Sequence, residues 1–137
     1  MFETLTQLLP RLSGGEYGTW IVDKKSKGTI EDPIHMPFVG YSQTVKELER
    51  AVYRFVDNHK EYELNRYADI LKSSGIEWQQ KSMSEADVSN ADAQLIMALL
   101  IGALRAERFC EGALLSFCED GSILRWLSRL KEIDNAQ

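Results

Sequence analysis

The order of apolar and polar side chains along the chain predicts a buried helix at its centre. From Leu95 to Leu104 there is no polar side chain, whereas a helix at the protein surface shows a solvated face. This stretch is shorter than the roughly 20 apolar residues that a membrane-spanning helix requires. Ser89–Asp92 offers a capping box at its start. We therefore predict a central helix over about residues 90–109 that is buried on nearly every side.

Apolar residues at helical spacing predict further helices before this segment. Residues 2–12 predict a first helix, kinked near Pro10 and ended by Gly14-Gly15. Thr44–Glu47 has the form of a capping box, and the amphipathic helix that follows is expected to extend to about Asn58.

Three more segments complete the helical prediction. Residues 64–71 predict a helix that Gly75 ends, and residues 113–118 predict one or two further turns beyond a break at Gly112. Residues 123–130 predict a final helix. The helices should form a compact bundle of about five around the central one.

Residues 17–41 have the character of β-strands. Gly18–Val22 is rich in β-branched and aromatic residues, and Met36–Tyr41 predicts a second short strand. The polar connection contains a basic cluster of three lysines, expected in a solvated loop: Lys24, Lys25 and Lys27. An isolated hairpin is marginally stable in water. It must therefore pack Trp20, Val22 and Phe38 against helices, or pair with another chain. The predicted fold class is α+β, mostly helical, with a short two-stranded antiparallel hairpin.

Length and charge narrow the class of protein. The chain has 137 residues, which predicts a single domain over residues 1–137. Its net charge of −5 argues against direct binding of nucleic acid, which normally requires a basic patch. Residues 84–137 hold nine acidic and five basic side chains and carry most of the negative charge. The N-terminal residues lack the features of a signal peptide, so we expect a cytoplasmic protein without membrane contact.

Metal and thiol chemistry have little support in the sequence. The two histidines, His35 and His59, and the two cysteines, Cys110 and Cys118, show none of the spacings of a zinc site. We expect no metal, no cofactor and no catalytic residue. A reactive thiolate needs a positive neighbour, and arginines lie close to Cys110 in sequence. Cysteine is nevertheless among the most buried residue types, and we expect both cysteines to be core residues with free thiols.

A charged step follows the apolar core segment. Arg105, Glu107, Arg108 and Glu111 lie within two helical turns of its end. Because buried charges must be paired, we interpret the step first as a network of ion pairs at the end of the central helix. The alternative is a small polar pocket in which the arginines bind a ligand or a partner's carboxylate. Acid–base chemistry by the two glutamates is a further alternative, although no neighbouring motif positions a substrate.

Three stretches of the chain have a recognisable form: Met36–Val39, Ala86–Gln94 and Arg105–Lys131. The run Glu107-Arg-Phe-Cys-Glu-Gly112 is the most specific among them. Together they resemble a family of small, mostly helical bacterial proteins known only as a domain of unknown function. The resemblance implies a bacterial, soluble, mostly helical protein, and it assigns no activity.

These patterns favour a non-enzymatic protein-interaction module that binds a protein partner or a second copy of itself. The reasons are the marginal hairpin edge and exposed aromatic residues such as Trp78. One alternative is an inhibitor of a nucleic-acid-handling machine, of the anti-CRISPR or mobile-element kind, which would act through the acidic surface. A second alternative is an enzyme or small-ligand binder with a polar site at residues 105–111. The candidate binding residues are Trp78, Arg105, Glu107, Arg108 and Glu111.

Overall fold

The computed structural model of the chain describes residues 1–137 and has a mostly helical α+β fold, as predicted. In chain order its elements are α1 (Glu3–Thr6), α2 (Leu9–Leu12), β1 (Gly18–Ile21), β2 (Phe38–Tyr41), α3 (Gln43–Asn58), α4 (Tyr67–Ser73), α5 (Gln80–Glu85), α6 (Ala93–Glu107), α7 (Ala113–Glu119) and α8 (Ser122–Asn135). Two 3-10 turns, Lys60–Tyr62 and Leu64–Arg66, connect α3 to α4. The eight helical segments exceed the expected five or so, because the first helix divides near Pro10, the unpredicted segment α5 forms, and the turns predicted at residues 113–118 make a separate helix, α7.

Helix α6 is the centre of the molecule, as its uninterrupted apolar run predicts. Every residue from Ile96 to Leu104 is buried, and the helix packs against α3, α4, α7 and α8. The helix begins later than predicted, because Asp92 caps it by accepting a hydrogen bond from the Leu95 amide at 2.9 Å. It also ends earlier, at Glu107, so that Phe109 lies outside the helix and is 79% exposed.

The amphipathic helix α3 closes one side of the core. Its cap is Ser42, whose hydroxyl accepts a hydrogen bond from the Val45 amide at 3.3 Å, so the helix starts before the predicted capping box. Its apolar face buries Leu48, Val52 and Phe55, which is the spacing that predicted it. No helix in the structure combines the length and apolar character needed to cross a membrane.

The predicted antiparallel hairpin is present, with Trp20 paired to Val39 and Ile21 paired to Phe38. Side chains alternate between the two faces of a strand. Val39 is buried and points towards the helices, so Phe38 points away from them and is 47% exposed. Packing of Val22 and Phe38 against helices, the first of the two alternatives for the hairpin, is wrong, because each of these side chains is about half exposed. Val39 and Tyr41 occupy the inward positions on β2 instead. Pairing of the hairpin with another chain stays a prediction.

Candidate functional site

The carboxylate of Glu107 joins the end of α6 to the start of α7. One of its oxygens accepts hydrogen bonds from the Leu114 amide at 2.9 Å and from the Gly112 amide at 3.1 Å. These are unpaired amides of the first turn of α7, which a negative group satisfies and stabilises. The chain can present them to Glu107 because it reverses direction at Gly112, whose φ is +90°.

The Tyr41 hydroxyl extends this cluster to the hairpin. It donates a hydrogen bond to Glu107 at 2.7 Å and accepts one from the Leu115 amide at 3.0 Å. Burial, and then the neighbouring Glu107 carboxylate, raise the pKa of the Tyr41 phenol. The hydroxyl therefore stays protonated and couples β2 to α7.

Two further contacts hold the hairpin on the turn between α6 and α7. The Val39 amide donates a hydrogen bond to the Glu111 carboxylate at 3.2 Å. The Trp20 indole packs so closely over Gly112 that a Cβ atom at this position would collide with its ring. The Glu107–Gly112 run, singled out in the sequence as the most specific motif, thus forms the part of the helical body against which the hairpin packs.

The two arginines of the charged step have different surroundings. None of the seven ion pairs in the structure includes Arg105 or Arg108. The interpretation of the step as a network of ion pairs is wrong, because Glu107 and Glu111 bind main-chain amides and a tyrosine instead. Arg108 is exposed and Arg105 is half-buried at the end of α6.

Trp78 lies in a different environment from the other candidate residues. Its indole N–H donates a hydrogen bond to the Gly102 carbonyl at 2.9 Å, in the middle of α6. The Tyr67 and Phe109 rings form T-shaped pairs with it, at centroid distances of 5.4 and 5.8 Å. Trp78 therefore anchors the connection between α4 and α5 to α6, with 36% of its surface left exposed.

The sequence reasoning missed the largest concentration of exposed apolar side chains. Of the ten large apolar residues that are exposed, seven lie between positions 20 and 38: Trp20, Ile21, Val22, Ile30, Ile34, Met36 and Phe38. Strand β1 is exposed at three of its four positions. The signal was present in the sequence, since apolar residues stand on both sides of each strand, but it was interpreted only as packing against helices or pairing with another chain, without the extent of the exposed set. We call this set the hairpin surface.

The outer edge of β1 has no partner strand. In an antiparallel pair, main-chain groups of successive residues point alternately towards and away from the partner. Tyr17 accepts a hydrogen bond from the Ser42 amide at 2.8 Å, so the main-chain groups of Gly18 and Trp20 point away from β2. On the opposite edge, Glu111 binds the outward amide of Val39. One edge of the hairpin is thus covered by a side chain, and the β1 edge is open.

The two cysteines lie in different environments in this arrangement. Cys118 is buried in α7, where burial, and then the nearby Asp120 and Glu119 carboxylates, raise the pKa of its thiol to about 12. Cys110 is exposed, which corrects the expectation that both cysteines are core residues. The reason is that α6 ends at Glu107 and leaves Cys110 in the following turn. No group of three His, Cys, Asp or Glu side chains is placed to hold a metal ion.

Comparison with known proteins identifies the family and leaves the function open. No curated protein and no solved structure matches the chain. A family model described as a family of unknown function (DUF6508) matches residues 2–136, nearly the whole chain. The resemblance noted at Glu107–Gly112 and its neighbouring stretches is confirmed by this match: the chain belongs to the DUF6508 family of unknown function.

Proposed function

We propose that this protein is a non-enzymatic protein-interaction module that binds its partner through the hairpin surface. The observation that supports the proposal most is the concentration of exposed apolar side chains between positions 20 and 38. Exposed apolar area costs about 25 cal/mol per Å² relative to burial, and large contiguous patches of it mark interaction sites. A partner that covers Ile21, Met36 and Phe38 would recover this free energy.

The mounting of the hairpin also supports the proposal. Tyr41 and Glu107 fix β2 to the helices, and Trp20 packs against Gly112. The outer face of the hairpin is therefore fixed in place before a partner binds, which reduces the conformational entropy lost on binding.

The two alternative functions have less support. For an enzyme or ligand site at residues 105–111, the Glu107 carboxylate is already engaged by main-chain amides and by Tyr41. For an inhibitor with an acidic surface, Glu111 binds β2 and Asp120 binds Ser84 and the Ser122 amide. These carboxylates have structural partners, so fewer are left to imitate the charge of a nucleic acid.

A capture experiment tests the proposal. The tagged wild-type protein and an Ile21→Asp/Phe38→Asp variant are cross-linked in cells of the native host, and the captured proteins are quantified by mass spectrometry. Both side chains are about half exposed, so circular dichroism should show an unchanged fold. We expect the variant to recover at least about tenfold less of its main partner, because two charges would be buried at the contact.

The matched control is Phe109→Asp, which changes an exposed aromatic residue outside the hairpin. It should recover the partner at the wild-type level. Equal recovery by the hairpin variant, or a loss confined to Phe109→Asp, would overturn the proposal and move the contact to the region of Trp78.

A further inference from the structure

We propose that the partner at the hairpin is a second copy of this chain, joined β1 to β1 in antiparallel order. The result is a four-stranded sheet in the order β2–β1–β1–β2, with a two-fold axis at Trp20. The inference rests on the proposed function, since it names the occupant of the hairpin and places the contact at the β1 edge, beside Trp20 and Ile21. Closed two-fold dimers are the commonest assemblies of identical chains, and addition of a strand to an open edge is a recurring mode of recognition.

The main chain limits how two β1 strands can pair. The open edge presents the N–H and C=O groups of Gly18 and Trp20, which alternate with groups already used in the hairpin. Residues of even number must therefore face residues of even number in the second copy. With the axis at Trp20, its N–H and C=O groups pair with those of the other Trp20, and Gly18 faces Val22.

The positions of two charged side chains favour this register over the two registers whose axis lies one residue away. Glu16 precedes β1 by two residues and Lys24 follows it by three. With the axis at Trp20, a pairing that extends to both residues places Glu16 opposite Lys24 of the second copy. Both side chains are exposed, and neither takes part in an ion pair within its own chain. Moving the axis by one residue in either direction places Glu16 opposite Val22 or Ser26. Oppositely charged cross-strand pairs stabilise a sheet, so the register at Trp20 is favoured.

The side chains of the strand suit the same pairing. The two Trp20 indoles become direct cross-strand neighbours, and each is 49% exposed in the single chain. Val22 lies opposite Gly18, which has no side chain to obstruct it. On the outer face, Thr19 lies opposite Ile21, a β-branched pair of the kind that packs well between strands. The strand is thus complementary to itself in charge and in shape.

Reversal and exchange of charge test the register directly. Sedimentation equilibrium is measured over a concentration series for the full chain as wild type, Glu16→Lys, Lys24→Glu and the Glu16→Lys/Lys24→Glu double variant. We expect a wild-type dimer. Each single reversal should raise the dissociation constant about tenfold, because the two-fold axis repeats the unfavourable contact. The double variant should return the constant to near its wild-type value.

The matched control is Glu31→Lys, the same reversal of an exposed carboxylate in the loop of the hairpin and away from the paired strands. It should leave the dissociation constant unchanged. A monomeric wild type at every concentration, or a dimer that the exchange of charges does not restore, overturns this inference. The wild type could instead be monomeric while the Ile21→Asp/Phe38→Asp variant still recovers less of a captured partner than the wild type does. In that case the proposed function remains valid and only the identity of the partner is wrong.

Discussion

At the scale of single residues, Gly112 connects the helical body to the hairpin for two separate reasons. Its φ of +90° lies in the region that residues with a side chain adopt only with strain. Its Cα also lies directly beneath the Trp20 indole, so a side chain would displace the ring. Gly75 shares only the first property, since its φ is +76° and no atom would meet an added Cβ. A comparison of alanine substitutions at the two glycines therefore separates the cost of backbone strain from the cost of displacing the Trp20 ring.

We expect Gly112→Ala to lower the free energy of unfolding by about 2–4 kcal/mol, and Gly75→Ala by about 1–2 kcal/mol. Unfolding in urea, followed by circular dichroism, measures both. In a Trp20→Ala background the excess cost of Gly112→Ala should disappear, because the ring that the new methyl group meets is gone. Equal costs for the two glycines would show that Trp20 does not press on Gly112.

At the scale of elements, the hydroxyl of Tyr41 joins β2 to the first turn of α7. We expect Tyr41→Phe to lower the free energy of unfolding by about 1–3 kcal/mol, because it leaves the Leu115 amide without its acceptor and removes a donor from Glu107. In a Glu107→Gln background the same substitution should cost less, since the two side chains share one network. Urea unfolding of the wild type, the two single variants and the double variant measures the coupling energy between Tyr41 and Glu107.

Tyr53→Phe provides the matched control for this cycle. Tyr53 is half-buried on α3, and its hydroxyl makes no hydrogen bond in the structure. Its loss should change the free energy of unfolding by less than about 0.5 kcal/mol. A cost for Tyr41→Phe as small as that of Tyr53→Phe would contradict the role of Tyr41 in seating the hairpin.

The elements themselves could be predicted from the sequence because their signals are local. The unbroken apolar run predicted α6, and the period of apolar residues predicted α3. The ends were less accurate, since Ser42 and Asp92 compete with other polar residues for the role of cap. Which side of the hairpin faces the helices was not determined by alternation alone, because both sides are apolar.

The candidate site was predicted only as a set of residue types. Its contacts join residues that are far apart in sequence: Tyr41 and Glu107 are separated by 66 positions, and Val39 and Glu111 by 72. Nothing in the local sequence of the charged step distinguishes a glutamate that pairs with arginine from one that binds main-chain amides. That choice is made by the turn at Gly112, which brings the start of α7 back to Glu107.

At the scale of the whole molecule, the fold shields two weak acids, Tyr41 and Cys118, whose titration opposes folding. Burial, and then nearby carboxylates, raise the pKa of Cys118 from 9.0 to about 12. Burial, and then Glu107, also raise the pKa of Tyr41 above its ordinary value of 10.0. Unfolding returns both groups to their ordinary values, so in alkaline solution the unfolded chain releases protons that the folded chain retains. Stability from these groups is therefore complete below about pH 9 and is lost as the pH rises towards about 12.

We therefore expect the urea midpoint to fall between about pH 8 and about pH 10.5. Cys118 alone contributes a slope of at most about 1.4 kcal/mol per pH unit above its unfolded pKa. Cys118→Ala should reduce the slope, whereas Cys110→Ala, which changes the exposed cysteine, should leave it unchanged. Other alkaline titrations, such as those of lysines, are common to all three proteins, so the comparison isolates the buried thiol. A Cys118→Ala variant with the wild-type slope would show that the core around α7 does not hold this thiol away from water.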